Sequence, residues 1–112
     1  MTHTNHELDA RDWFASAYGL DTMEVGDELV VLDRLSGKSF RINASGAVIW
    51  RSVANGLNFT EIRETLEARF SLAPAEADEI TREFLASLGS RGLVSRRRSQ
   101  DRAREVEIDG RL

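Results

Sequence analysis

The sequence contains no cysteine among its 112 residues. Disulfide bonds, thiolate metal ligands and cysteine nucleophiles are therefore excluded. No apolar run approaches the ~18 residues that a membrane-spanning helix needs. Residues 1–12 are polar and acidic, unlike a secretory signal. These absences predict a cytoplasmic protein without a membrane partner.

Residues and motifs typical of catalysis are also scarce. The only histidines, His3 and His6, lie in the polar N-terminal stretch, where a general base or a metal ligand would be poorly positioned. The "NASG" turn at residues 43–46 has neither the spacing of a phosphate loop nor that of a nucleophile elbow. The carboxylates between 76 and 83 are typical of a solvated helix face. We therefore expect no catalytic residue, no metal site and no cofactor.

Charge is unevenly distributed along the chain. Residues 1–90 carry 8 basic and 15 acidic side chains, whereas residues 91–112 carry 7 basic and 4 acidic ones. An acidic body disfavours nucleic-acid binding, because neutralisation of phosphates supplies much of that affinity. We therefore expect no nucleic-acid partner, although the basic C-terminal segment could contact an anionic surface.

Hydrophobic periodicity predicts three short strands followed by helices. Apolar runs separated by turn residues place the strands at 22–25, 28–33 and 38–42, with Gly37 supplying a positive φ in the last turn. After Asn43 the period becomes helical. Asn43 is expected to cap this first helix, and Trp50 to anchor it in the core.

Two further helices follow from start signals. Asn58 and Glu61 form a capping-box pattern, and Pro74 suits the first turn of a third helix. The predicted core positions are Phe59, Ile62, Leu66 and Phe70 on the second helix and Ala77, Ile80, Phe84 and Leu88 on the third. Strands followed by helices predict an α+β, winged-helix-like fold in which a three-stranded antiparallel sheet precedes three helices.

Both ends of the chain fall outside this pattern. Apolar pairs spaced four apart, Trp13–Ala17 and Phe14–Tyr18, predict a short helix within residues 8–18. The Arg-rich, apolar-poor C-terminal segment is predicted to be disordered or weakly helical. We therefore divide the chain into an N-terminal extension, a central domain and a basic tail, at residues 1–21, 22–94 and 95–112.

Two segments in this order resemble a known family. "DELVVLDRLSGKSFRINASGAVIW" links the last two strands to the first helix, and "EFLASLGSRGLV" closes the third helix. Together they strongly resemble the PqqD-like family, small recognition elements that bind leader segments of ribosomally made precursor peptides. The resemblance covers about residues 23–94 and is greatest to the stand-alone elements of lasso peptide and related pathways.

This resemblance implies a winged-helix-like fold and a non-catalytic function. In this family the leader peptide adds as an extra strand beside the third strand, in the groove between that strand and the third helix. Further implied partners are modifying enzymes such as a leader peptidase or a cyclase. The peptide-binding residues carried over by position are Lys38, Ser39, Phe40, Arg41 and Ile42 on the strand and Asp78, Thr81, Arg82 and Leu85 on the helix.

The chain also departs from part of the family. Members from the pyrroloquinoline quinone pathway typically show a proline-containing approach to the first helix and Cys-Asp-Gly after it, where this sequence has "FRINASG" and "VANGLN". These departures argue against the quinone pathway. Two alternatives stay open: a winged-helix DNA-binding regulator that uses "SRRRSQDRAR", and an adaptor that dimerises through its N-terminal aromatic segment.

Overall fold

The computed structural model describes residues 9–98, which form five strands and three helices. In chain order these are β1 (Trp13–Ser16), β2 (Leu20–Val25), β3 (Glu28–Asp33), β4 (Ser39–Ile42), α1 (Ala44–Ala54), α2 (Phe59–Phe70), α3 (Pro74–Ser90) and β5 (Val94–Arg97). Strands β2, β3 and β4 form an antiparallel meander, and β1 pairs antiparallel with β5 in a second sheet. The predicted α+β fold, with its three-stranded sheet and three helices, is confirmed. Within the described range, no helix is long and apolar enough to cross a membrane.

The core lies between the inner face of the meander and the three helices. Leu29 and Val31 of β3 are buried, whereas the alternating residues of this strand are more exposed. Trp50 is only 7% exposed, which confirms it as the core anchor of α1. Ile49 and Ile62 are fully buried, and each such side chain contributes roughly 1.5–3 kcal/mol. This packing holds β4 and α3 in fixed positions relative to each other.

Side-chain caps start α1 and α2 as predicted. The Gly46 N–H donates to Asn43 Oδ1 at 2.9 Å. The Glu61 N–H donates to Asn58 Oδ1 at 2.9 Å, and the Asn58 N–H donates to Glu61 Oε1 at 2.8 Å. Pro74 occupies the first turn of α3. These local signals therefore give the correct start of every helix.

The N-terminal segment contains a strand, so the helix predicted within residues 8–18 is wrong. Phe14 is buried whereas Tyr18 is 90% exposed, so these two residues share no buried face. One edge of β1 pairs with β5. On its other side, the Phe59 N–H donates to the Asp12 carbonyl at 2.7 Å. Because β1 pairs with β5, from the far end of the described chain, this segment forms a strand despite the four-residue apolar spacing that favours a helix.

The start of the basic tail is also ordered. The segment Val94–Arg97 is β5, so the disorder or weak helicity predicted for residues 95–112 is wrong for residues 95–97. Arg96 Nε lies 3.3 Å from Oδ2 of Asp12, whose side chain is 4% exposed. This contact ties β5 to the segment before β1. The rest of the predicted tail, residues 99–112, lies outside the described residues.

The buried stripe of α3 differs from the predicted one. Its buried residues are Ala77, Thr81, Leu85 and Leu88. Ile80 and Phe84, predicted as core positions, are only partly buried against the core. Phe70, predicted as a core residue of α2, is 38% exposed. The stripe therefore keeps Ala77 and Leu88, as predicted, but runs through Thr81 and Leu85 in place of Ile80 and Phe84.

Candidate functional site

Strand β4, the third strand of the prediction, has an open edge. It pairs with β3 on one side, and no described strand covers the other. The Asp33 N–H donates to the Lys38 carbonyl at 2.8 Å, which identifies a hydrogen-bonded pair. Because such pairs alternate along an antiparallel ladder, Phe40 and Ile42 direct their backbone groups towards β3.

The intervening residues, Ser39 and Arg41, therefore direct their N–H and C=O groups towards the open side. Among residues 9–98 we find no hydrogen bond to these outward-facing groups. An edge with free donors and acceptors is a template for another strand. The open edge of β4 thus offers two residues at which an extended peptide could pair.

The side chains of β4 divide between the two faces of the meander. Ile42 is buried and Phe40 is half-buried, whereas Ser39 and Arg41 are exposed. Arg41 Nε lies 2.8 Å from Glu28 Oε1, with 71% of the arginine side chain exposed. Exposed ion pairs contribute only about 0–1 kcal/mol. This pair therefore orients Arg41 more than it stabilises the fold.

The flank of helix α3 that approaches β4 carries Phe84, and Arg91, the C-cap residue that follows the helix, lies over a β4 ring. A Cβ placed on Gly46 would lie 2.6 Å from the Phe84 ring and 2.7 Å from Ile42 Cγ2. Farther along, the Arg91 guanidinium lies 5.7 Å from the centre of the Phe40 ring. A small residue at Gly46 is therefore required where α1, α3 and β4 meet.

Helical spacing identifies the other residues on this flank. At 3.6 residues per turn, Ile80, Phe84, Ser87 and Arg91 project to the same side. The first three are half-buried and Arg91 is exposed. We call β4 together with these four residues the β4 groove. It combines free backbone groups, aromatic surface and a cation, which is chemistry suited to recognising a peptide.

The predicted helix residues do not lie on this flank. Thr81 is fully buried, and its hydroxyl donates to the carbonyl four residues earlier at 2.7 Å. Leu85 is 3% exposed. The Arg82 guanidinium lies 4.8 Å from the centre of the Phe59 ring, and its Nε is 2.7 Å from Asp78 Oδ2.

The predicted core stripe thus differs from the observed one at Ile80 and Phe84, and the four predicted helix residues do not project towards β4. Of the predicted strand residues, Ser39, Phe40 and Arg41 lie in the β4 groove, Lys38 directly precedes it and Ile42 is buried in the core. The four predicted helix residues lie in the core or on the opposite flank. Ile80 and Phe84 were assigned to the core, while Ser87 and Arg91 were not identified. Apolar periodicity cannot distinguish a core position from a half-buried groove position.

A cavity of about 230 Å³ opens on that opposite flank of α3. It is lined by Arg82, Leu85 and Ala86 of α3 and by Phe14, Val94 and Arg96 of the β1–β5 sheet. Leu85 therefore lines this cavity and not the groove beside β4. In the part of the chain that the structure describes, no three His, Asp or Glu side chains are grouped to hold a metal ion.

Comparison with known families connects this geometry to a protein class. The family described as coenzyme PQQ synthesis protein D (PqqD) matches residues 28–94, more than half of the chain. The chain belongs to the PqqD family. The resemblance inferred from its sequence is thereby confirmed. No curated protein is similar enough in sequence to be matched to it.

Two solved structures are similar in fold to this chain. TbiB1 in complex with the TbiA(beta) leader peptide is 25% identical with a TM-score of 0.68, covering 72% of this chain and 94% of that one. A lasso peptide synthetase B1 complexed with the leader peptide is 18% identical with a TM-score of 0.67, covering 73% of this chain and 96% of that one. At its lower identity, the second shows likeness of fold alone.

Proposed function

We propose that this protein binds the leader segment of a ribosomally made precursor peptide as an added strand along β4. The bound precursor is then delivered to modifying enzymes, such as a leader peptidase or a cyclase, and the protein itself catalyses no step. The observation that carries the proposal is the pair of outward-facing residues, Ser39 and Arg41, on an edge flanked by α3. Membership of the PqqD family, together with the leader peptide bound to TbiB1, supports the identity of the ligand.

The energetics of the edge require a contribution from side chains. Ser39 and Arg41 offer two N–H and two C=O groups, and each hydrogen bond contributes about 0.5–1.5 kcal/mol net. The backbone alone therefore supplies at most about 6 kcal/mol, whereas a micromolar complex requires about 8 kcal/mol. An apolar leader residue buried against Phe40 and Phe84 would add roughly 1.5–3 kcal/mol. Main-chain pairing thus gives the binding mode, and this apolar contact gives the selectivity.

Charge in the β4 groove favours a particular leader. Lys38 and Arg91 lie at the end of the groove near Phe40, where the arginine stacks over the ring. An acidic leader residue at this end would meet two cations. We therefore expect a leader motif in which an apolar residue is followed or preceded at short spacing by Asp or Glu.

A titration with a matched pair of variants tests the proposal. The probe is a fluorescein-labelled leader peptide from the precursor encoded beside this gene, monitored by fluorescence polarisation. Ser87→Trp places a large ring in the β4 groove, whereas Ala86→Trp places the same ring on the opposite flank of the same helix. We expect saturable binding below roughly 100 μM, at least tenfold weaker binding for Ser87→Trp, and an unchanged affinity for Ala86→Trp.

The possible results of this titration distinguish whether the protein binds a leader peptide from where on its surface the peptide binds. Absence of saturable binding by the folded wild-type protein would refute leader binding. Weakening by Ala86→Trp but not by Ser87→Trp would keep the function and refute the β4 groove as its site. Equal unfolding midpoints for the two variants are the control for structural damage.

The structure favours neither alternative function. Helix α3 carries Glu76, Glu79 and Glu83 as well as the Asp78–Arg82 pair, so a DNA phosphate would be repelled. In the N-terminal aromatic segment, Phe14 is 4% exposed and belongs to the core of its own chain, so of Phe14 and Tyr18 only the latter, which is 90% exposed, is open to a second copy.

A further inference from the structure

The outer face of the β2–β3–β4 meander, on the side away from the helices, carries exposed apolar side chains. Of the six large hydrophobic side chains that are exposed in the described part of the chain, five belong to residues 18–35. We call Met23, Val25, Val30 and Leu32 the outer patch; Val30 is half-buried and the other three are exposed. Apolar surface that is grouped in this way and rimmed by polar residues is typical of an interaction site.

The register of the meander shows that the outer patch is continuous. Val30 and Leu32 alternate along β3 with Leu29 and Val31, which are buried on the inner face, because successive side chains of a strand point to opposite sides. Met23 lies opposite Val30 in the β2–β3 ladder and extends the apolar surface onto β2. The middle strand and its neighbour therefore share one apolar face.

An ion pair lies at each end of the outer patch. At one end, Arg41 Nε is 2.8 Å from Glu28 Oε1. At the other end, Arg34 Nε is 3.5 Å from Asp21 Oδ2. The charges of these two pairs cancel, although the whole chain has a net charge of −4. Two copies can therefore bring this face together without the repulsion that their net charges would otherwise cause.

The order of residues along β3 determines how a second copy fits. Glu28 begins the strand and Arg34 directly follows its end, with Val30 and Leu32 between them. When two such faces pack with their strands roughly aligned, a two-fold axis that crosses the strands places Glu28 over Arg34 of the second copy and Val30 over its Leu32. An axis parallel to the strands would instead oppose Glu28 to Glu28 and Arg34 to Arg34, and like charges opposed in an interface are unfavourable.

We propose that the outer patch packs against the same patch of a second copy of this chain, around a two-fold axis that crosses the strands. The interface is isologous, so the contact between Glu28 and Arg34 occurs twice. The apolar side chains between these two contacts are removed from water. Because the patch is smaller than the apolar centre of an obligate dimer, association is reversible, with a dissociation constant of roughly 10–200 μM.

This dimer leaves the β4 groove accessible. The outward-facing backbone groups of Ser39 and Arg41 point along the plane of the sheet, whereas the two copies meet across its face. The proposed axis places the two β4 edges on the same side of the dimer. The inference rests on the outer patch and its two ion pairs and not on leader binding, so failure of the leader titration would leave it unaffected.

Sedimentation velocity of the full-length protein, from roughly 1 to 500 μM, tests the dimer. Leu32→Lys and Phe70→Lys are matched variants, because both side chains are 38% exposed but Phe70 lies on α2, outside the outer patch. We expect Phe70→Lys to dimerise like the wild type and Leu32→Lys to dimerise at least tenfold more weakly. A wild-type protein that stays monomeric throughout this range would overturn the proposal, as would equal dissociation constants of the two variants.

A mixing experiment tests the orientation of the two copies. Glu28→Arg alone opposes arginine to arginine across the interface, and Arg34→Glu alone opposes glutamate to glutamate, so each variant should associate at least fivefold more weakly than the wild type. In a dimer of one variant with the other, one contact has both charges reversed and the other contact is native. An equimolar mixture should therefore associate at least fivefold more tightly than either variant alone. A mixture that associates no more tightly than its components would overturn the proposed arrangement.

Discussion

Replacing Gly46 by alanine tests the packing that holds the β4 groove together. The added Cβ would lie 2.6 Å from the Phe84 ring and 2.7 Å from Ile42 Cγ2, whereas ordinary contact begins at 3.4 Å. The ring must therefore move by about 0.8 Å, and overpacking of this kind costs about 1–3 kcal/mol. Alanine regains up to about 1 kcal/mol of helix propensity. We expect a net destabilisation of about 0–3 kcal/mol.

Gly89→Ala is the matched control on α3. Its Cβ would meet only the Val94 carbonyl oxygen at 4.0 Å, an ordinary contact. The substitution should therefore be neutral or stabilise by up to about 1 kcal/mol. Urea denaturation gives both free energies of unfolding, and we expect Gly46→Ala to be at least about 1 kcal/mol less stable than Gly89→Ala. Equal stability, or greater stability of Gly46→Ala, would refute the close approach.

Three further tests address the Asp12–Arg96 ion pair, the cap of the first helix and the strand edge. Asp12→Asn, which leaves Arg96 without its buried carboxylate, should reduce the free energy of unfolding by about 1.5–3 kcal/mol. Glu28→Gln at an exposed pair should cost under about 1 kcal/mol, and equal losses would contradict this account. Asn43→Ala should reduce the free energy of unfolding, measured by urea denaturation, by about 1 kcal/mol, because the Gly46 N–H loses its acceptor. An unchanged free energy of unfolding would show that the cap does not stabilise α1. Arg41→Pro removes an outward-facing N–H that Arg41→Ala retains. In the leader titration, the proline variant should therefore bind the leader about 2–13-fold more weakly than the alanine variant. Equal affinities would argue against strand pairing at residue 41.

Local signals predicted the helix starts and the meander because each acts within a few residues. Asn43 and the Asn58–Glu61 pair satisfy backbone groups of their own first turns. Gly37, with φ of 78°, likewise allows the turn before β4. The β1–β5 sheet could not be found in this way, since its strands come from opposite ends of the described chain. Phe14 next to Trp13 fits a short helix equally well until β5 is present to pair with it.

The groove residues on β4 and those on α3 also differ in how far signals from neighbouring residues identify them. An edge strand can be recognised from its neighbours in sequence, and the predicted third strand is observed as β4, the open edge of the meander. The flank of α3 that faces β4 could not be recognised from the sequence, because Thr81 is polar yet fully buried. Its hydroxyl is satisfied by a carbonyl of its own helix, so burial costs little. A prediction from hydrophobicity therefore assigns Ile80 and Phe84 to the core stripe, although they lie on the flank of α3 beside β4.

Amide exchange of β4 with and without the leader peptide tests strand addition most directly. The N–H groups of Phe40 and Ile42 already face β3, whereas those of Ser39 and Arg41 face the open side. At saturating leader, we predict at least tenfold slower exchange at Ser39 and Arg41 and little change at Phe40 and Ile42. Unchanged exchange at Ser39 and Arg41 under saturating leader would contradict the account.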